Sequence, residues 1–347
     1  MSPGVTRVRA TWRFVAVVGV GALVLASCGV ATTSHEGVHG TPALSISVAL
    51  SNVGCASNDV CVAVGTSSES VGPVAVGEYA TPNGRWQSLT LPTSLSPNID
   101  AAACSGTTCL LGGSEPGSDL LWVFNAKEET LNDAVAPPEG IGVDALSCNG
   151  TNCALVDTGA MGDLPRLSLS INGGQNWTLP LPMSWAKGDV VTTLSCGTVF
   201  NCAVGTLSST HLFSLHVTLN GGTTWSASPT PSTWSSLTSL TCEARHCVGL
   251  ANEGGSSALV RSITFTRTWS SVLLSERANA LACTTLSTCV VVGQSSTATG
   301  WLASVHGDVV KTVRLRYVPT PLLGVGCGSE VCAAIGVTTL LSVPSTS

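Results

Sequence analysis

Residues 143–156 read VDALSCNGTNCALV, in which an apolar segment ends at Cys148, a four-residue polar loop follows, and Cys153 begins a second apolar segment. Two short apolar segments joined by a small polar loop predict a β-hairpin. Cysteines at the facing ends of such a hairpin lie at a separation that suits a disulfide. Because the same arrangement recurs along the whole chain, it decides the fold.

The cysteines outside the N-terminal region fall into seven close pairs, with four or five residues between the members of each pair. The first members recur at intervals of 41 to 49 residues. A period in the forties combined with short strands is typical of a β-propeller. We therefore predict an all-β protein, a single seven-bladed β-propeller with one cysteine-pair hairpin per blade. The pairs are Cys55 and Cys61, Cys104 and Cys109, Cys148 and Cys153, Cys196 and Cys202, Cys242 and Cys247, Cys283 and Cys289, and Cys327 and Cys332.

Paired cysteines at short spacing also suit zinc, so metal binding is the first alternative to disulfides. Zinc requires four converging ligands, whereas pairs spread around a ring each supply two. We predict seven disulfides and no metal site, with reactive redox pairs as a lesser alternative.

The composition excludes two classes of protein. Only 10% of the 347 residues are charged, against about 25% in a typical soluble protein, and lysine occurs three times. A mostly helical protein would carry many more Lys and Glu on its exposed faces. The formal charge of −6 comes without a basic cluster, so we expect no nucleic-acid partner.

The N-terminal residues have the pattern of an export signal. Three arginines precede the apolar segment 14–25, which is too short to span a bilayer. Residues 25–28 read LASC and resemble the bacterial lipoprotein signal. That resemblance implies that residues 1–27 are removed and that Cys28 is lipidated, anchoring the protein to a bacterial membrane outside the cytoplasm. The alternative is an ordinary signal peptide cleaved near Ala26 or Ser27.

Behind the signal we predict three segments. Residues 28–42 are polar and form a flexible tether, residues 43–343 form the propeller, and residues 344–347 form a C-terminal tail. The last repeat lacks a fourth strand, whereas Ala43–Val48 (ALSISV) precedes the first repeat without a partner. We expect this N-terminal strand to complete the last blade and close the ring.

A second motif, Ser/Thr-x-Asn-x-Gly-x-x-Trp, occurs in the later half of two repeats, and residues 262–269 and 81–86 are weaker copies. It resembles the Asp-box (BNR) repeat of propellers such as the sialidase superfamily and photosystem II assembly factors. The resemblance implies a turn between the third and fourth strands, a glycine at positive φ, and a tryptophan between blades. It is structural and implies no activity. The residues concerned are Ser170, Asn172, Gly174, Trp177, Thr218, Asn220, Gly222 and Trp225.

Sialidases use clustered arginines and a tyrosine nucleophile, and the chain has only two tyrosines. Tyr79 belongs to a structural strand, and Tyr317 reads as part of an outer strand with alternating charges. We identify no paired acids or other catalytic motif. We therefore predict a non-catalytic protein without a cofactor; a sialidase-like glycoside hydrolase or lectin is the alternative.

Two tryptophans, Trp185 and Trp234, fall in connections between blades and outside the box positions. Exposed tryptophans there could stack on a sugar or anchor a protein partner; packing over a blade end is the alternative. We expect a monomer that serves as a scaffold or binding module for an unidentified envelope protein or glycan.

Overall fold

The structure is a computed structural model. It describes residues 39–41, 48–69, 72–82, 85–91, 98–115, 118–134, 137, 142–158, 164–265, 268–313, 315, 318–337 and 339–344. The predicted signal, the lipidation site Cys28 and Tyr317 therefore lie outside the described residues.

Twenty-eight strands form seven antiparallel four-stranded sheets, which are the blades of a propeller. Each of the first six blades uses four consecutive strands, from the innermost outward. Blade 1 contains β2 (Val48–Cys55), β3 (Cys61–Glu69), β4 (Gly72–Ala80) and β5 (Trp86–Leu89). Blade 2 contains β6 (Asn98–Ser105), β7 (Thr108–Glu115), β8 (Ser118–Asn125) and β9 (Thr130–Asp133). Blade 3 contains β10 (Ala145–Asn149), β11 (Asn152–Thr158), β12 (Pro165–Ser170) and β13 (Leu181–Pro182).

A single turn of 3-10 helix (Ser184–Ala186) leads into the next blade. Blade 4 contains β14 (Val190–Cys196), β15 (Cys202–Leu207), β16 (Phe213–Thr218) and β17 (Ser226–Ala227). Blade 5 contains β18 (Trp234–Glu243), β19 (His246–Glu253), β20 (Ser256–Ser262) and β21 (Ser270–Leu273). Blade 6 contains β22 (Arg277–Thr285), β23 (Thr288–Gln294), β24 (Gly300–His306) and β25 (Val309–Val313). Blade 7 contains β26 (Leu322–Cys327), β27 (Val331–Gly336), β28 (Leu340–Pro344) and, outermost, β1 (His39–Thr41).

The predicted hairpins and disulfides are confirmed in every blade. The two cysteines of each pair are direct cross-strand partners between the innermost and second strands, as for Cys148 and Cys153. Their Cα atoms lie 3.9 to 4.2 Å apart, and all seven pairs are bonded. In blade order, the disulfides join Cys55 to Cys61, Cys104 to Cys109, Cys148 to Cys153, Cys196 to Cys202, Cys242 to Cys247, Cys283 to Cys289, and Cys327 to Cys332.

The hydrophobic core lies between the faces of neighbouring blades. Strand alternation sends successive side chains to opposite faces, so each sheet contributes to two core clusters. In β20, Val260 packs against residues of blade 4, whereas the adjacent Leu259 packs against blade 6. Between blades 7 and 1, Ile335 and Leu340 pack with Ala63, so the core continues around the ring.

The N-terminal strand closes the ring as predicted, but it lies at a different place in the sequence. β1 pairs with β28 through His39 opposite Ser342 and Thr41 opposite Leu340. The prediction that Ala43–Val48 forms this strand is wrong, because Val48 belongs to β2, and residues 42–47 lie outside the described part. Three residues assigned to the tether are therefore part of the sheet, and β28 ends at Pro344, one residue into the predicted tail.

A second contact closes the ring between blades 7 and 1. Asp59, in the hairpin of blade 1, accepts hydrogen bonds from the backbone N–H groups of Glu330 (2.8 Å) and Val331 (3.1 Å). The Ser329 hydroxyl donates to the other Asp59 oxygen at 3.2 Å. A carboxylate that accepts several donors in a neighbouring hairpin fixes the two blades to each other.

Candidate functional site

The ring has two faces that differ in their turns. The disulfide hairpins and the turns between third and fourth strands lie on one, here called the hairpin face. The turns between second and third strands and the connections between blades lie on the other, here called the mouth face.

No helix among the described residues is long and apolar enough to cross a membrane.

The innermost strands surround a central channel that has an apolar constriction. It separates a cavity of about 320 Å³ near the hairpin face from one of about 290 Å³ nearer the mouth face. The residues shared by both cavities lie two positions before the first cysteine of a pair. They are Val53, Leu146, Leu240, Leu281 and Val325. The boundary between the two cavities is therefore lined by valine and leucine side chains.

On the mouth side of this constriction the channel is polar. Six of the seven innermost strands show a register shift four residues before the first cysteine, the mark of a β-bulge. Ser51 at this position donates to the carbonyl of Ile99 in the next blade at 3.2 Å. Asn279 donates equivalently to Leu322 at 2.7 Å. These polar groups hydrogen-bond to neighbouring blades, and hydroxyl and amide side chains line the cavity together with Ala102, Ala280 and Leu323.

The two complete Ser/Thr-x-Asn-x-Gly-x-x-Trp segments form identical turns between third and fourth strands. In blade 3 the Ser170 hydroxyl accepts from the Gly174 N–H and donates to Asn172 Oδ1, each at 2.9 Å. Asn172 Oδ1 accepts from the Asn176 N–H at 2.9 Å. Gly174 has φ +86°, which favours glycine. In blade 4, Thr218, Asn220, Gly222 and Thr224 repeat these contacts.

The tryptophans of these turns pack toward the preceding blade. Trp177 contacts the core cluster between blades 2 and 3, and Trp225 contacts the cluster between blades 3 and 4. Both turns lie on the hairpin face and are filled by their own backbone contacts, so they serve the architecture.

Trp185 is half-buried and belongs to an aromatic cluster between blades 3 and 4. Its ring stacks on His216 with centroids 3.9 Å apart, and Trp225 lies at 5.4 Å. His216 points toward blade 3 because Leu215 and Val217, on either side of it, point toward blade 5. One face of the Trp185 indole is thus covered by a histidine of this chain.

The prediction that Trp234 lies in a connection between blades is wrong. Trp234 begins β18, is buried, and packs edge-on against Trp269 with ring centroids 5.6 Å apart. Its side chain therefore fills the core between blades 4 and 5, the alternative considered from the sequence. It offers no surface to a ligand.

Burial of His216 gives the aromatic cluster a pH dependence. Desolvation lowers the pKa of His216 from its usual value of 6.5, and Asp189 opposes the shift. A histidine with a lowered folded pKa binds protons more readily in the unfolded chain. We therefore expect the free energy of unfolding to fall as the pH drops below about 6.5, and to level off below the folded pKa. Denaturant titrations at several pH values measure this.

The matched variants for this test are His216→Phe, which keeps a ring against Trp185, and His246→Phe, which changes an exposed histidine. We expect the first to remove part of the pH dependence and the second to preserve it. An unchanged pH profile in His216→Phe would contradict the assignment.

A buried ion pair lies in blade 3, close to the mouth face. Arg166 Nε donates to Asp157 Oδ1 at 2.8 Å, and Asp157 is fully buried. Burial raises the pKa of Asp157, whereas Arg166 lowers it. Asp157 Oδ2 has no hydrogen-bond partner among the described residues. Because the Asp157 carboxyl is not exposed, it is unsuited to protonate a substrate. The ion pair instead connects β11 and β12.

Removing the cation tests this pair. We expect Arg166→Met to lower the free energy of unfolding by about 3 kcal/mol at neutral pH, because it leaves a buried carboxylate unpaired. The loss should shrink in acid, since the unpaired Asp157 takes up a proton, and Asp157→Asn in the same chain should restore most of the stability. An equal loss at both pH values would argue against a charge effect.

Tyr79 lies in β4 and packs near Phe124, with ring centroids 5.5 Å apart. Its hydroxyl donates to Glu129 Oε2 at 3.0 Å, joining blades 1 and 2. Burial and the Glu129 carboxylate raise the pKa of Tyr79.

Among the described residues, no three His, Cys, Asp or Glu side chains cluster as metal ligands would.

No protein-family model and no curated protein matches the sequence. Solved structures do resemble the fold. YCF48 bound to D1 peptide is 13% identical with a TM-score of 0.62, over 89% of this chain and 95% of that one. Virginiamycin B lyase from Staphylococcus aureus is 10% identical with a TM-score of 0.61, over 88% and 98%. The GH74 enzyme of Niastella koreensis is 12% identical with a TM-score of 0.59, over 87% and 53%. Identities this low show the propeller fold alone.

Sequence reasoning did not identify the channel constriction or the Trp185–His216 stack. The constriction had a signal, because the residue two positions before each first cysteine is apolar in every repeat. The stack had none, since 31 residues separate its members along the chain and only the packing of blade 3 on blade 4 brings them together.

Proposed function

We propose that this chain is a non-catalytic binding module, anchored outside the cytoplasm by a lipid on Cys28, which presents its mouth face to a protein partner. The observation that carries the proposal is a pair of exposed apolar side chains on that face of blade 4, Val190 and Leu212. They flank the polar end of the channel. Exposed apolar groups beside satisfied polar groups are typical of protein-binding surfaces.

Val190 and Leu212 belong to one edge of the blade. Val190 pairs with Leu207, and Leu207 pairs with Phe213, the residue after Leu212. The Ser208–Leu212 turn is held by the Leu212 N–H donating to the Ser208 hydroxyl at 3.1 Å. A supported turn presents Leu212 in a defined position, which favours a specific contact.

The state of the tryptophans favours a protein over a glycan. Sugar binding by stacking requires an accessible indole face, yet His216 covers one face of Trp185 and Trp234 is buried. Among the similar structures, YCF48 was solved with a bound D1 peptide, which is consistent with peptide binding by a propeller of this shape. A carbohydrate-active function remains the alternative.

The seven disulfides indicate an oxidising compartment outside the cytoplasm. The lipoprotein-like segment at residues 25–28 supports the anchoring part of the proposal.

The test is photo-crosslinking in the native host. A photoreactive residue replaces Leu212, and the matched control replaces Val309, which begins an outer strand on the hairpin side and is similarly exposed (69% and 68%). We expect one envelope protein to be recovered repeatedly from position 212 and not from position 309. Adducts with cell-wall polysaccharide alone would move the assignment to the carbohydrate class. Identical adducts from both positions would contradict a binding role for the mouth face.

A further inference from the structure

Three large apolar side chains protrude from the hairpin face of blades 3 and 4. Ile171 is 69% exposed, Phe200 61% and Leu219 42%. Ile171 and Leu219 follow the first hydroxyl residue of the two equivalent turns, and Phe200 is in the disulfide hairpin of blade 4. The Gly221 N–H donates to the Phe200 carbonyl at 2.9 Å, which fixes two of these turns to each other. We call these three residues the apolar tips.

The turns that carry the apolar tips contain no charged residue. They are residues 149–152, 171–177, 197–201 and 219–225, composed of Asn, Gly, Thr, Gln and Val199 around the apolar tips and the half-buried Trp177 and Trp225. The same face carries exposed charges next to this sector, Glu243 and Arg245 in the hairpin of blade 5, and further away Glu129 and Glu330. An uncharged sector with apolar tips is costly to expose to water, but it suits the headgroup and upper acyl region of a bilayer.

Strand direction connects this face to the chain that precedes the ring. β28 runs from the mouth face to the hairpin face, and antiparallel β1 places His39 opposite Ser342 and Thr41 opposite Leu340. The chain therefore enters blade 7 from the hairpin face. Eleven residues separate Cys28 from His39, a reach of at most about 40 Å when extended.

We propose that the apolar tips insert into the lipid surface to which the protein is anchored, so that the hairpin face rests on the membrane and the mouth face points away from it. This inference rests on the lipid anchor of the proposed function. An anchored domain meets the bilayer at high effective concentration, so three side chains suffice to orient it without binding on their own.

The charge of the protein defines the lipid chemistry. After removal of the signal, 11 basic and 20 acidic residues remain, a net charge of −9. Electrostatic attraction to anionic headgroups is therefore excluded as the cause of binding. The contact should occur on zwitterionic lipid and should be insensitive to salt.

Hydroxyl-radical footprinting of the mature chain in phosphatidylcholine vesicles tests the orientation. The reference is the same chain with Cys28→Ser in solution. We expect labelling of the apolar tips to fall several-fold on vesicles at low and high salt, whereas labelling of Val190 and Leu212 on the mouth face stays constant. Unchanged labelling of the apolar tips would overturn the proposal, as would protection in solution that increases with protein concentration, because a second copy would then cover this face.

A pair of matched variants sharpens the test. Phe200→Glu should restore labelling of Ile171 and Leu219 on vesicles to the level found in solution, and Leu273→Glu, at a similarly exposed site near the mouth face, should leave them protected. Equal behaviour of the two variants would contradict the assignment.

Failure of the anchor is detected separately. Mass spectrometry of the mature chain shows whether Cys28 carries lipid, and its absence would refute the anchor in the proposed function. The face is then tested with a histidine tag at position 28 and nickel-chelating lipid in the same vesicles. Unprotected apolar tips in that assay would refute the membrane contact itself.

Discussion

With all seven disulfides reduced, the chain is expected to be unfolded at 37 °C. Each disulfide closes a ring of cysteines five or six positions apart in sequence, worth about 2 kcal/mol in the loop-entropy account. Summed over seven disulfides, this is an upper bound that is comparable to the whole free energy of unfolding of a domain, about 5 to 15 kcal/mol. The chain has few charged residues and short outer strands, so other interactions contribute little stability in place of the disulfides.

Near-ultraviolet circular dichroism of the chain refolded with and without reductant measures this effect. We expect the oxidised chain to recover its aromatic signal and the reduced chain to lack it. Replacing one pair, Cys104→Ala with Cys109→Ala, is the control and should cost about 2 kcal/mol while the ring still folds. Full recovery of the signal in reductant would show that packing alone maintains the blades.

The second large effect that we expect follows removal of the contacts that close the ring. Deletion of residues 39–41 removes the pairing of β1 with β28 and leaves an exposed strand edge. Adding Asp59→Ala removes three hydrogen bonds to the hairpin of blade 7. Together these changes should lower the free energy of unfolding by about 4 kcal/mol and the melting temperature by about 10 °C.

The matched control for this experiment deletes residues 31–33 and replaces the exposed Asp133 by alanine. Because each blade packs on two neighbours and the core continues from blade 7 to blade 1, we expect one cooperative transition at a lower temperature. A melting temperature equal to that of the control, or separate melting of blade 7, would contradict closure by these contacts.

The blades could be predicted from the sequence because each hairpin is a local structure. The two strands around Cys148 and Cys153 are adjacent in the chain, so their loop length and apolar pattern determine the pairing. The turn around Ser170 and Asn172 could be predicted for the same reason, because its contacts span four residues. Repetition of these local signals then indicated the number of blades.

Contacts between distant segments could not be predicted in the same way. Ala43–Val48 has strong β propensity, but Val48 is needed opposite Ser67 in β2. The chain must also cross from the outermost to the innermost strand, three strand spacings or about 14 Å, between Thr41 and Val48. The closing strand therefore lies at His39–Thr41, which has no apolar alternation of its own.

The two tryptophans illustrate the same limit. The sequence places Trp234 in a connection, yet β18 extends to it and it packs against Trp269 of the same blade. Trp185 was correctly placed between blades, but His216 across the interface determines how much of its ring is accessible. Both outcomes depend on how neighbouring sheets pack, which no local pattern encodes.

We propose that this chain works outside the cytoplasm as an oxidised, lipid-anchored propeller, and the intact mass of the protein isolated from its host tests this proposal. We expect a chain that begins at a lipid-modified Cys28 and is lighter by two hydrogens for each of seven disulfides. A chain that retains residues 1–27, or that carries free thiols at the paired cysteines, would contradict it.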